Sequence, residues 1–368
     1  MPYPQIDPAE IRVYPLAQRY SKTRIRDISI DPDTIPPDLP ASTAKIVQRI
    51  ADRIRSAHKR GSSVMLAFGA HLIKNGAAPL VIRLLEQGWL THVATNGAGG
   101  IHDWEFAFQG ASEEDVRTNA GRGCFGTWDE TGRWINLAVQ VGALKGMGYG
   151  ESLGRLIHEQ GLYLPTVDEL KERLHKAVAD NTEDLPAVAE LYHTLRRFNL
   201  PAGFQPLAHP HQATSVFANA VRCGVPITVH PGIGYDIIYN HPLANGAALG
   251  RGAYVDFRIF AQSVRGLADG VFLSIGSAIM APQVFEKSFS LANNLAGDSG
   301  RKISGHLIAV VDLQESVWDW SQGEPPKSSP DYYLRFLKSF YRMGGETHYL
   351  ALDNRMVLHH LLRALSRP

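Results

Sequence analysis

Between Val64 and Trp104, two short apolar runs, each followed by glycine, flank a stretch that places Leu80, Val81, Leu84 and Leu85 on one helical face. The pattern predicts a strand at 63–68, a crossover helix at 77–87 ended by Gly88, and a second parallel strand at 91–95. The same rhythm returns later, as helix 213–223, strand 226–230, helix 254–264, strand 270–275, helix 282–293 and strand 306–311. Such alternation predicts an α/β fold with a doubly wound, mostly parallel Rossmann-like sheet and helices on both faces. Upstream, Ile46, Ile50, Ile54 and Ala57 mark a further helix that Ser42 can cap. Residues 110–134 are glycine-rich and have little period, whereas 150–199 reads as helices, one starting at Thr166 to Asp168 and another near Pro186. Prolines at 2, 4, 8, 15, 36, 37 and 40 make the N-terminus an extended arm, of a kind that often crosses onto a neighbouring subunit. The expected organisation is an arm at 1–45 and one α/β domain at 46–368 with a largely helical insertion at about 110–205.

Composition narrows the class. A chain of 368 residues, 44% hydrophobic, can bury a large core. Lys and Arg number 37 against 36 Asp and Glu, so the net charge of +1 gives no reason to expect a nucleic-acid or membrane partner. No 18-residue apolar run and no apolar leader are present, and a soluble, cytoplasmic protein is expected. Cys124 and Cys223 stand far apart without a CxxC pair, so no zinc ribbon is expected.

In doubly wound sheets the chemistry lies at the carboxyl ends of the strands. Here those ends read Gly69-Ala70-His71, Asn96-Gly97-Ala98-Gly99-Gly100, His230 through Asp236, and Gly276-Ser277. Glycines let backbone amides approach an anion, and the helix that follows presents its positive end to a pyrophosphate. A different chemistry, metal-dependent hydrolysis, would draw on His209, His211, His230 and Asp236, although Pro210 disfavours a regular strand carrying both of the first two. Gly297-Asp298-Ser299-Gly300 copies the wording around a serine-protease nucleophile but reads as a surface turn.

Taken in order, these segments resemble the deoxyhypusine synthase family. That family carries an NLISSG-like turn, a TTAGG turn followed by acidic residues, a segment of the form SVYYWAxxxxIPV and a strand ending in PALTDGSLGD. The corresponding stretches are His71 to Gly76, Gly97 to Asp103, Ser215 to Ala220 running to Val225-Pro226-Ile227, and Pro231 to Asp236. Gly276 to Asn293 and Ile308 to Glu315 are similar to its later glycine-rich turn and strand end, so the resemblance covers about 60–110 and 210–365.

The resemblance implies NAD bound within a homo-oligomer, a dimer of dimers, with hydride removed from a polyamine and an aminobutyl group carried on an enzyme lysine. Lys338, eight residues after Pro330, stands at the family's lysine offset, on a stretch that also reads as an amphipathic helix, with Ser329 able to cap it, Pro330 in its first turn and Tyr333, Phe336, Leu337 and Phe340 as its apolar stripe. By the same comparison Gly69, Ala70, His71, Asn96, Gly97, Gly99, Gly100, Asp103, Gly276, Ser277 and Asp312 would hold NAD, and Asp236, His102 and Asp103 would join Lys338 in catalysis. Three departures alter the implied substrate. Arg335-Phe336-Leu337 replaces the family's Ser-Trp-Gly, Pro282-Gln283 replaces its His pair, and His71 and His102 stand where it has an amide and a carboxylate. The expectation is an NAD-dependent enzyme for an amine or another small polar substrate, not authentic deoxyhypusine synthesis. A non-catalytic NAD-binding oligomer is the alternative.

Overall fold

The computed structural model describes residues 3–297, 300 and 302–366. Its N-terminal arm is short of regular structure but anchored. After 3-10 turns at Pro8–Glu10 and Leu16–Gln18 come β1 (Thr23–Arg24) and α1 (Ile25–Ile28), and Leu16 and Ile25 are buried on the body of the molecule. Next are α2 (Ala41–Arg60), β2 (Val64–Phe68), α3 (Ala70–Lys74), α4 (Ala78–Glu86), β3 (His92–Asn96) and α5 (Gly97–Gln109). The middle of the chain contributes β4 (Ala111–Ser112), α6 (Val116–Arg122), α7 (Asp129–Ala143), α8 (Tyr149–His158), β5 (Gly161–Leu164), α9 (Val167–Asp180), α10 (Leu185–Phe198) and β6 (Gly203–Pro206). A second α/β run closes the chain: α11 (Val216–Arg222), β7 (Ile227–His230), α12 (Gly246–Arg265), β8 (Val271–Ile275), α13 (Met280–Leu295), β9 (Leu307–Asp312), α14 (Arg335–Arg342), β10 (Glu346–Ala351) and α15 (Asn354–Ser366).

Six parallel strands form one sheet in the order β10-β9-β8-β2-β3-β7. Ranked along the chain this is 6-5-4-1-2-3, the Rossmann arrangement, with its switch point between β2 and β8. β1 pairs antiparallel with β4, and β5 with β6. Alternate residues of one strand feed two separate cores, as the pleat requires. Val64, Leu66 and Phe68 face one core, which includes Ile50 and Ile54 of α2 and Leu361 of α15; Met65 and Ala67 face the other, with Phe260, Phe285 and Phe340. Because both faces are covered, the central strands are buried almost throughout, and β2, β8 and β9 are apolar enough to be readable as runs.

Two elements differ from the sequence expectation. The helix predicted from Pro330 is split into a 3-10 turn at Pro330–Tyr333 and α14, because Leu334 adopts φ −72°, ψ 73° and breaks the α geometry. Ser329 does cap the turn, and buried Asp331, which accepts from Ser316 Oγ at 2.7 Å, holds it down. The α2 helix starts at Ala41 after Pro40 with no side-chain cap, so Ser42 lies inside its first turn and does not cap it. The serine-protease lookalike contains residues 298 and 299, which lie outside the described residues. Among the described residues, no helix is long and apolar enough to cross a membrane.

Asp256 on α12 joins the insertion to the sheet. Its Oδ2 accepts from Gly150 N at 2.8 Å and Val229 N at 2.7 Å, linking the start of α8 to β7. Burial pushes this carboxyl up to about 8, so the fold favours its protonated form. Between the unfolded value near 4 and the folded value near 8, rising pH therefore removes stability. Asp256→Asn keeps the amide-accepting oxygen without the titration. Urea unfolding at pH 5 and pH 8 should show a smaller loss on going to pH 8 in this variant than in the unaltered protein.

Candidate functional site

A cavity of about 250 Å³ opens at the carboxyl ends of β3 and β7. Its apolar wall is Ala98, Ile101, Val116, Phe125 and Ile237; its polar lining is Arg19, Lys74, His102, Glu105, Glu113, Glu114, Tyr235 and Asp236. Four carboxylates face two cations; Arg19 pairs with Glu105 and Lys74 with Glu113, which leaves Glu114 and Asp236 as the carboxylates of the lining outside those pairs.

The polar wall is built outward from Glu105. This carboxylate is 1% exposed in the middle of α5, and Arg19 from the arm reaches it with both guanidinium nitrogens at 2.7 Å. Thr131 Oγ1 donates to the same group at 2.9 Å and Ser112 Oγ at 2.5 Å. Arg19 and these hydrogen bonds overcome the desolvation that burial imposes, and the carboxyl is held below its ordinary value. One helical turn earlier, His102 places Nδ1 2.7 Å from Ser112 Oγ. Burial lowers the His102 imidazole to about 4, against the opposing pull of Glu105, so the ring is neutral at pH 7. At the rim Lys74 pairs with Glu113, which also accepts from the Thr23 hydroxyl. Glu114 accepts from Asn119 Nδ2 at 2.7 Å and Gly126 N at 3.2 Å.

Asp236 closes the far side. Burial raises its carboxyl to about 6, and Gly232 N–H opposes that by donating to Oδ2 at 2.8 Å. Gly97 is required beneath it, because a Cβ there would stand 2.2 Å from Asp236 Oδ2. Close approach also explains Gly69, whose Cβ would meet Gly276 O at 1.9 Å and part the loops at the switch point. Both glycines were read as room for a ligand, and in the fold that space belongs to the chain itself.

Of the residues expected to act together, the fold brings His102 and Asp236 to one cavity. Asp103 turns the other way, since consecutive helical residues point about 100° apart. It is fully buried and caps α11, accepting from Ser215 Oγ at 2.5 Å and Val216 N at 2.8 Å, with burial raising it to about 7. Lys338 does not line the cavity; its Nζ sits 3.6 Å from the centroid of the Tyr332 ring. Gly69, Ala70, Gly276 and Ser277 flank the switch point one strand away, while His71 is exposed. Asn96 caps α5 by accepting from Gly99 N at 2.9 Å, and Gly100 packs toward Leu153 and Phe217. Asp312 ends β9, where its Oδ1 accepts from Gln314 N at 3.1 Å and its Oδ2 takes no hydrogen bond from the described residues. Beside Gly276, the Oδ1 of Asn354 is buried with no partner.

The histidines considered as metal ligands are dispersed. His209 lies edge-on to Trp104 and Phe108, and His230 bonds Thr228 in the core against Phe260. Among the described residues no group of three or more His, Cys, Asp or Glu could hold a metal ion.

Arg19, Lys74, Glu105, Ser112, Glu113 and Glu114 were missed as site residues. Glu105 carried a usable signal: a carboxylate three positions after His102, inside the apolar run Trp104 to Phe108, needs a buried partner. Nothing local pointed to Arg19, 86 positions away.

No protein-family profile matches the chain, and no curated protein matches it in sequence. Solved structures similar to it in shape include apo ArgZ, an arginine dihydrolase from the ornithine-ammonia cycle in cyanobacteria, at TM-score 0.41 and 12% identity over 91% of this chain and 33% of that one. A ternary complex of AgrE with ornithine and NAD+ gives TM-score 0.42 and 13% identity over 91% and 34%. A conserved putative LOR/SDH protein from Methanococcus maripaludis S2 gives 0.43 and 13% over 97% and 76%. The chain thus spans about one third of the length of the ArgZ and AgrE structures.

Truncating the arginine should expose the dependence of the pocket on its buried pair. Arg19→Ala strands the Glu105 charge and is expected to cost about 3–5 kcal/mol in urea unfolding. The double variant Arg19→Met/Glu105→Leu should recover part of that loss.

Proposed function

We propose that this protein is an NAD-dependent enzyme acting on a small amine held in the acidic cavity at the ends of β3 and β7. The observation that carries the reading is the pairing of an excess of carboxylates with Asp236, whose value near 6 suits proton transfer at neutral pH. The nearby switch point fits a dinucleotide on two counts. The strand order places its loops where such ligands bind, and Asn354 Oδ1 and Asp312 Oδ2 there are acceptors not taken by the described residues. Ala70, His71, Gly276, Ser277 and Asp312 would hold the dinucleotide, which when bound would supply a hydride acceptor, while Asn96, Gly97, Gly99 and Gly100 are committed to the packing of α5.

In this reading the chain's own residues bind the ammonium and deprotonate it. Glu114 sets the negative field, since Glu113 is paired with Lys74. Ile101, Phe125 and Ile237 cover the carbon chain, and ionised Asp236 takes the proton that frees the nitrogen lone pair. Asp103 anchors α11 and so steadies the helix that carries His102. The apolar side chains Ile233, Tyr235 and Ile279, exposed near the carboxyl ends of the strands, support self-association, which light scattering would measure.

Fluorescence titration with NAD, followed by an NADH-forming screen over polyamines, amino acids and monoamines, tests the assignment. Turnover should rise as pH passes about 6, and Asp236→Asn should remove that limb and lower kcat by about 10²–10⁴-fold. Absence of NAD binding sinks the reading; binding without turnover favours a non-catalytic NAD-binding protein. Borohydride reduction in the presence of a turned-over amine addresses Lys338. A covalent adduct absent from Lys338→Met would establish group transfer through an imine.

A further inference from the structure

The hydrogen bonds around Glu105 determine more than stability. An ionised carboxylate only accepts, and every group around this one donates: Arg19 twice, Thr131 and Ser112. The Ser112 hydroxyl proton is therefore spent on Glu105. Toward His102, 2.7 Å away, Ser112 Oγ can only accept, so Nδ1 must carry the ring proton. A neutral imidazole protonated on Nδ1 has its lone pair on Nε2, and the hydrogen bond that His102 makes to the described residues is at Nδ1, while the ring lines the cavity. Ser112 itself is immobilised, being fully buried and paired with Thr23 through the β1–β4 ladder.

We infer that the Glu105–Ser112 pair locks His102 in its Nδ1–H form, and that the Nε2 lone pair makes the cavity select an ammonium bearing N–H donors over a quaternary one. The selectivity rests on the amine reading above; the tautomer does not. Carboxylates attract any cation of the right size, whereas only an N–H can satisfy the imidazole. Ser112 is thus a positioning residue, acting through His102, and the ligand class is a primary amine with a short carbon chain.

Two measurements separate the parts. In protein labelled with 15N-histidine, two-bond 15N–1H correlation spectra between pH 6 and 8 are expected to show His102 protonated at Nδ1 and bare at Nε2. Ser112→Ala should release that preference and populate the other tautomer. Calorimetric titration with butylamine and with butyltrimethylammonium should favour the primary amine by about tenfold. That ratio should fall toward one in Ser112→Ala and in His102→Leu, the second variant removing the acceptor while leaving the Ser112–Glu105 bond in place. An Nε2-protonated His102 in the unaltered protein overturns the lock, and a preference that survives Ser112→Ala overturns the selectivity. If neither amine binds while the Nδ1–H form is seen, the amine reading fails and the lock stands.

Discussion

A carboxylate buried in the middle of an apolar helix is costly unless every lone pair is met, and Glu105 dictates what may surround it. The planar fork of Arg19 meets both oxygens at once, which a lysine could not do. The remaining positions are filled by hydroxyls from α7 and β4. One charge therefore gathers four distant pieces of chain: the arm, α5, the edge of the insertion and the first turn of α7. Without it the arm would keep its apolar anchors, Leu16 and Ile25, and its β1–β4 pairing, but the cavity would lose its inner wall.

The cavity and the switch point are adjacent but separate. The switch point lies between β2 and β8, while the cavity opens over β3 and β7. That separation lets one end of the sheet present two different environments, an open-backbone crevice and a charged pocket, without either compromising the other. Asp236 belongs to the cavity side, where its carboxylate rests on Gly97 at the head of α5. The glycine and the aspartate are a single fitted unit, although they stand 139 positions apart in the chain.

Much of the fold was legible because a parallel sheet covered on both faces demands apolar runs, which β2, β8 and β9 have, while β3 and β7 mix buried Val, Ile and Ala with His and Thr. β10 escaped notice for the complementary reason. It is an edge strand, half-buried along Glu346 to Tyr349, and its Glu346 is held by Arg49 and Arg53 from α2, so it carries neither an apolar run nor clean alternation. The helix at Pro330 misled because a good cap and an apolar stripe specify a local start, whereas the burial of Asp331 and the turn at Leu334 are imposed by the rest of the domain.

For the site, the sequence by itself determined the α/β rhythm, the glycine turns at the strand ends and the presence there of His102 and Asp236. Those are local patterns, set by periodicity and by backbone sterics. Only the tertiary structure decided that Asp103 caps a helix while its neighbour faces the cavity, and that Arg19 completes the pocket. These are long-range choices. Each depends on which buried charge finds a partner across the fold, and no spacing along the chain records that.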